Sequence, residues 1–424
     1  WTKLAKGLIG TDNVDCQLGD GLPPEVVFGL PRATIDDVCA EGGTVLLLAP
    51  DLKEELPVLF LRLRDAVVAQ GVTRAELSPV ATSRTAGAAG SSRCPPGEAG
   101  VEAAKLADHE LLRNADRITI VLGRPSLAEG ESTIVDAAAA LLDAFPSAHV
   151  LTVLRRANVH GALDMGMSPG LLPGHVTLDD GREWFSDAGW NVPSARGMDT
   201  AAMLTAAADG NLDTLVLLGA DPLSDFPDHG LADRALRTVK HIVAVDTHRN
   251  ASVERATVVL PAAGQAEVTG TTTNIEGRLS TVAQKVTAPG TARTDWQLAA
   301  ELAFRIGGDL GIESVEGAWE EVERVAPSYA GLGADVLAWG AGRDGVLMPL
   351  DPEHQPGLEG IRVTIASQRH GIDAGAAAAA GAAAAAETEA ERQEAELEAK
   401  AEQAERTGDE TAERGASAER AERE

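Results

Sequence analysis

Six short apolar runs recur along the chain: TVLLLAP (44–50), ITIVLG (118–123), HVLTVLR (149–155), TLVLLGADP (214–222), HIVAVDT (241–247) and TVVLPA (257–262). Each is rich in Val, Ile and Leu. Unbroken apolarity of this length predicts strands covered on both faces, as in a parallel sheet. Helical spacing fills the gaps. Residues 53–69 set Leu56, Leu59, Phe60, Leu63 and Val67 on one stripe, and residues 131–144 do the same with Ile134, Ala138, Leu141 and Leu142. Residues 199–208, 230–238 and 295–306 predict three more helices. Strand and helix alternate, so the predicted class is α/β.

Some stretches break the alternation. Segment 77–100 is small, polar and rich in Pro and Gly, which predicts a long surface loop. Segment 158–197 contains GALDMGMSPGLLPG and two Trp but little periodicity, and predicts a second irregular stretch. EVTGTTTNIEGRLSTVAQKV (267–286) alternates at Val268, Thr272, Ile275, Leu279 and Val282, broken by Gly270 and Gly277. That pattern predicts a β-hairpin or extended loop beside the sheet. Beyond residue 350 the pattern fades, although GIRVTIA (360–366) reads as one more strand. From Ala374 the chain is Ala-rich, then Glu/Arg/Ala-rich, a composition that favours helix but buries little.

Charge narrows the function classes. The net charge is −29, and residues 371–424 account for 15 acidic and 6 basic side chains, so the body is acidic in its own right. Nucleic-acid binding needs clustered Lys and Arg and is excluded as an expectation. A basic patch on a partner protein suits this surface. No apolar run approaches the ~18 residues of a membrane span. Trp1 opens the chain and no basic n-region with an apolar h-region is visible, so a piece of a longer protein is expected. Cys16, Cys39 and Cys94 form no CxxC and fall short of the four thiolates of a usual iron–sulfur cluster. His160 and His175 bracket the Gly/Met loop, and two lone histidines read as satisfied polar groups rather than a metal site.

Three loops carry candidate chemistry. LLGADPLSDFPD (217–228) leaves a strand through Gly219, Asp221 and Pro222, where ligands of parallel sheets bind. AVDTHRNASVERATVVLPAA (244–263) puts Asp246 and Thr247 at a strand tip, the place of a ribose-holding carboxylate. The hairpin offers Asn274, Glu276 and Arg278 to a polar ligand. Each also has an ordinary reading as a strand-to-helix turn, a helix cap or a surface Glu–Arg pair.

In this order the three loops resemble the molybdopterin oxidoreductase superfamily. The matching positions are Gly219-Ala220-Asp221-Pro222, Asp246-Thr247, Thr257 to Pro261, Glu267, Gly270-Thr271, Asn274, Glu276-Gly277-Arg278 and Asp295-Trp296. Within the superfamily, RRANVHGALDMGMSPGLLPG (155–174) is similar to a loop of the large G-type subunit of bacterial NADH-quinone oxidoreductases, the respiratory complex I. The resemblance covers roughly residues 1–310.

The resemblance implies two interleaved, Rossmann-like doubly wound units of the formate dehydrogenase/DMSO reductase type, with a helical or disordered acidic tail. The implied divisions are 1–41 as the end of an upstream α/β segment, 42–197 as an inserted domain, and 198–310 as a returning domain. Residues 311–370 follow as a small extension and 371–424 as the tail. Gly219, Asp221, Pro222, Asp246, Thr247, Gly270, Thr271, Asn274, Glu276 and Arg278 become vestigial pterin-site positions. The implied role is a mainly structural lobe, without metal or catalytic residues, in electron transfer from NADH to quinone. Iron–sulfur clusters belong to missing N-terminal domains. Its partners are other peripheral-arm subunits on the cytoplasmic side of the plasma membrane, with no direct membrane insertion. Asp221 stands where active relatives carry Asn, and Val258-Val259 where many carry Ala-Asp, which disfavours molybdopterin. The rival expectations are the catalytic domain of a molybdenum pterin oxidoreductase, such as a formate dehydrogenase, and a generic nucleotide-binding module.

Overall fold

The structure is a computed structural model that describes residues 1–348, apart from 84, 86, 107, 108 and 342. The expected strand at 360–366 and the tail at 371–424 lie outside the described residues. The first sheet contains β1 (Thr44–Leu48), β2 (Thr73–Ser78), β3 (Gly90–Arg93), β4 (Ile118–Leu122) and β5 (His149–Thr152). Its order is β3-β2-β1-β4-β5, and every pair is parallel. All five residues of β1 and of β4 are buried. Leu59, Leu63 and Ala66 of the helix Pro57–Ala69 share a core with Val45 and Leu47 of β1. Pro57 takes the first helical position, where its missing N–H costs nothing, and so divides the predicted 53–69 helix into Leu52–Glu55 and Pro57–Ala69.

Two strands of this sheet escape the apolar pattern. β2 reads TRAELS and hides Arg74 and Glu76 inside the fold, so hydropathy carries no strand signal there. Glu76 accepts hydrogen bonds from the Thr82 and Thr85 hydroxyls at 2.7 and 3.2 Å, which offsets its burial. β3 lies inside the segment expected to be a loop. It is an edge strand of half-exposed and exposed residues, and an edge needs no apolar run.

Segment 158–197 is also more ordered than expected. It contains the helices Val159–Asp164 and Leu178–Asp187 and the antiparallel pair β6 (Leu171–Leu172) and β7 (Val176–Thr177). Leu172, Val176, Phe185 and Trp190 bury together. Gly166, Gly170 and Gly174 adopt positive φ between these anchors, so the chain turns too often for a period to show.

The second sheet holds β8 (Thr214–Leu218), β9 (His241–Asp246) and β10 (Val258–Pro261), parallel, in the order β10-β9-β8. The helices Thr200–Ala208 and His229–Thr238 cover one face through Leu204, Ala207, Ala232, Ala235 and Leu236. Among the described residues no helix covers the other face. Val216, Val243 and Val258 stand in register across it, with Val216 46% and Val258 47% exposed. Two covered faces therefore hold for β1 and β4 but not for β8 and β10. The predicted hairpin exists as β11 (Gly270–Thr273) and β12 (Arg278–Val282), joined by β13 (Val346–Leu347) in a sheet of its own.

Residues 1–41 begin with a π-helix, Lys3–Ile9, and continue as an irregular strap before the helix Pro24–Gly29. Lys6 is fully buried, pairs with Asp12 at 2.6 Å, and donates to the Ser168 and Leu171 carbonyls. Asp12 accepts from the Gly170 and Gly197 amides, and Asp15 from the amide and hydroxyl of Thr200.

Candidate functional site

An open parallel sheet forms a ligand crevice at the carboxyl ends of the strands where the strand order reverses. In the first sheet the chain steps from β1 to β2 and β3 on one side, then returns to place β4 and β5 on the other. The reversal falls between β1 and β4. A crevice of about 190 Å³ opens there, lined by Asp20, Pro50, Glu55, Arg124, Val153 and Arg155. Pro50 follows β1, Arg124 follows β4, and Val153 and Arg155 follow β5. The second sheet has no such reversal.

Charge in the crevice is matched within the chain. Arg155 bonds Glu55 at 2.6 Å and approaches Asp20 at 3.8 Å. Arg156 bonds the other oxygen of Asp20 at 2.7 Å. The Asp20 side chain is only 3% exposed. Arg124 donates to the carbonyls of Gly19 and Leu127, while its buried Nε–H has no partner among the described residues. Arg156 and Asn158 both adopt left-handed backbone conformations, with φ of 74° and 59°. Such residues are uncommon and cluster where structure holds a side chain in place.

The residues singled out in the sequence fall into two groups. Gly219, with φ of 57°, ends β8, and its amide bonds Val245 of β9. Pro222 is buried at the first position of the short helix Pro222–Asp225. Asp221 accepts from the hydroxyl and amide of Ser252 and from the hydroxyl of Ser224. Desolvation pushes its carboxyl up, but these hydrogen bonds outweigh it and hold the group below its ordinary range. Asp246 closes β9 and accepts from the His248 amide and the Asn250 side chain, and Thr247 bonds the His248 ring. These residues share the carboxyl ends of β8 and β9.

The second group sits on the hairpin. Gly270 and Thr271 pair with Val282 and Thr281. Asn274 accepts from the amides of Glu276 and Arg278 across the turn. Glu276 is buried; it accepts from the Ile35 amide at 2.7 Å and from Arg278 at 3.0 Å. Its carboxylate therefore fastens the hairpin to the helix Ile35–Val38. Among the described residues no hydrogen bond joins the two groups.

A buried polar cluster lies beside the hairpin. Asp164 pairs with His175 and accepts from Tyr329 at 3.0 Å, and His175 stacks on Phe28 at 3.8 Å. Burial raises the Tyr329 phenol well above its ordinary range, with Asp164 adding to the effect. His160 is buried, and its Nε2 lacks a partner among the described residues. Burial lowers its imidazole to about 4, against the opposing pull of Asp164. Among the described residues no group of three or more His, Cys, Asp or Glu is placed to hold a metal ion, and no helix is long and apolar enough to cross a membrane.

Spacing alone could not have found Asp20, Glu55 and Arg124. They arrive from the strap and from different strand ends, with Glu55 100 residues from Arg155 and Asp20 136 residues from Arg156. The one available signal was the Arg155-Arg156 pair at the end of a predicted strand.

Residues 97–305 match the family model described as molybdopterin oxidoreductase. The alpha subunit of an NADPH-Fe(3+) oxidoreductase from Geobacter sulfurreducens is 34% identical over 181 residues, 43% of this chain and 21% of that protein. The second G-type subunit of the NADH-quinone oxidoreductase of Rhizobium meliloti is 29% identical over 404 residues, 83% of this chain and 46% of that protein. The alpha subunit of F420-dependent formate dehydrogenase 1 from Methanococcus maripaludis is 32% identical over 43% of this chain and 28% of that protein. The chain spans less than half the length of each of these relatives.

Proposed function

We propose that the chain, whose residues 97–305 match the molybdopterin oxidoreductase family model, serves as a structural, pterin-free lobe in the large peripheral-arm subunit of an NADH-quinone oxidoreductase. The observation that carries this reading is the extent of similarity. The likeness to the G-type subunit runs over 83% of the chain, whereas the likeness to the formate dehydrogenase stops at 43%. In this reading electrons pass through iron–sulfur clusters held by other segments of the whole subunit. Residues 42–197 are an inserted domain and 198–310 a returning one. The acidic body docks on neighbouring peripheral-arm subunits at the cytoplasmic face of the plasma membrane.

The chemistry of the donors supports the pterin-free part. A dinucleotide pterin brings a pyrophosphate, which needs positive charge and free N–H donors. At the β8 loop the group on offer is Asp221, an ionised carboxylate already satisfied by two serines. At the β1/β4 crevice Arg155, and Arg156 behind it, are matched to Asp20 and Glu55. Neither place fits the group, so no step is routed through it.

A second reading is the catalytic domain of a molybdenum pterin oxidoreductase, favoured by the likeness to the alpha subunit of the formate dehydrogenase. It predicts a pterin bound near Gly219, Asp246 and Asn274. Metal analysis of the full subunit decides between them. Molybdenum below about one-tenth of stoichiometric, together with co-purification of an NADH-oxidising partner, is expected. Stoichiometric molybdenum would overturn the structural reading.

A further inference from the structure

The β1/β4 crevice has the position and the cations of an anion site, and it already contains anions. The geometry points to a self-filled phosphate site, in which Asp20 and Glu55 hold the guanidinium faces that a phosphate ester would otherwise take. Three observations bear on this. The crevice lies at the strand-order reversal, where doubly wound sheets receive ligands. Arg124 and Arg155 line it from the ends of β4 and β5, and Arg156, with its left-handed backbone, holds the lining residue Asp20 from behind. The buried Asp20 bonds Arg156 and also neighbours Arg155, the arrangement a bridging phosphate would adopt.

The charge balance explains why the wild-type crevice refuses a dianion. Arg155 and Arg156 balance Asp20 and Glu55, and Arg124, bonded to two carbonyls, lies in the field of Glu131, Asp20 and Glu129. A pyrophosphate would meet two carboxylates before it met a free guanidinium, and like charges at this range repel. Neutralising both carboxylates leaves Arg124 and Arg155 lining the space with Arg156 behind Asp20. Only side chains of this protein are involved, so the self-filled site is independent of any role in a respiratory complex.

The test titrates inorganic pyrophosphate into the full chain by calorimetry. The wild type is expected to show no saturable binding up to about 1 mM. The Asp20→Asn/Glu55→Gln variant is expected to bind at least about tenfold more tightly than the wild type, and adding Arg155→Gln is expected to abolish the gain. Equal binding by the wild type, no gain in the folded double variant, or a gain that survives the loss of Arg155 overturns the proposal. Should Asp20→Asn fail to fold, Glu55→Gln alone carries the test, because Glu55 is 29% exposed and its loss leaves Asp20 in place. A smaller gain is then expected, and no gain counts against the proposal.

Discussion

His160 has no route to water for its Nε2, and that fixes a pH dependence. Folded, the imidazole titrates at about 4; unfolded, near 6.5. The folded state therefore binds fewer protons between these values, and stability falls as pH drops through that window. The loss is on the order of 3 kcal/mol once pH is below both values. Urea midpoints at about pH 7 and pH 4.5 measure most of it, and His160→Gln is expected to flatten the slope relative to the wild type. Lys6 and Asp12 make a second prediction. Their pair is buried, and Asp12 also serves two amides. Asp12→Ala strands a buried ammonium and is expected to cost about 3–5 kcal/mol in urea unfolding. Lys6→Met combined with Asp12→Asn is expected to recover part of that loss. Neither effect was legible in the sequence, since nothing in a lone His or Lys announces burial. The motif residues were legible by contrast: Asp221, Asp246 and Asn274 each anchor a turn through several hydrogen bonds.

Among the elements, the hairpin shows most directly how local geometry is enforced. Gly277 turns at φ of 75°, and a Cβ there would lie 2.5 Å from the Arg32 guanidinium. Arg32 in turn donates to the Met348 carbonyl just past β13. Gly277→Ala combines left-handed strain of roughly 1–2 kcal/mol with displacement of Arg32. A fall in Tm is expected, and Gly290→Ala, also at positive φ but with open space around it, is expected to cost only the strain. Apolar runs located six strands: in β1, β4 and β5 burial selects Val, Ile and Leu, whereas β10, with no buried residue, was found on its β-branched composition. β2 and β3 escaped because an interior strand with a satisfied Glu76 and an edge strand such as GSSR need no such run. The strand order and its reversal at β1/β4 were equally invisible, because pairing among parallel strands is decided by connections outside each strand.

At the scale of the whole molecule, the open face of the second sheet sets a limit on behaviour in solution. Val216, Val243 and Val258 form an apolar row on a body otherwise rich in carboxylates. Exposed apolar rows bind apolar dyes and promote association once charge repulsion is screened. Val216→Thr with Val258→Thr is expected to lower dye binding and salt-induced association while changing stability by less than about 1 kcal/mol, measured by fluorescence and light scattering. The α/β class was legible from run spacing and the likeness to molybdopterin oxidoreductases from motif order, and the crevice was not, because it is assembled from distant ends.

The strap that follows the π-helix has a consequence in time. Asp12, Asp15 and Asp20 each tie it to a segment far along the chain: Gly170 and Gly197, Thr200, and Arg156. Those ties close loops of 136 to 185 residues. Loop closure of that span is slow and gains nothing until the distant segments exist. The two sheets can therefore assemble first and the strap seat last. In a refolding time course, protection of residues 11–23 from protease is expected to lag behind protection of β1 and β4, and the strap becomes the clasp that records when folding is finished.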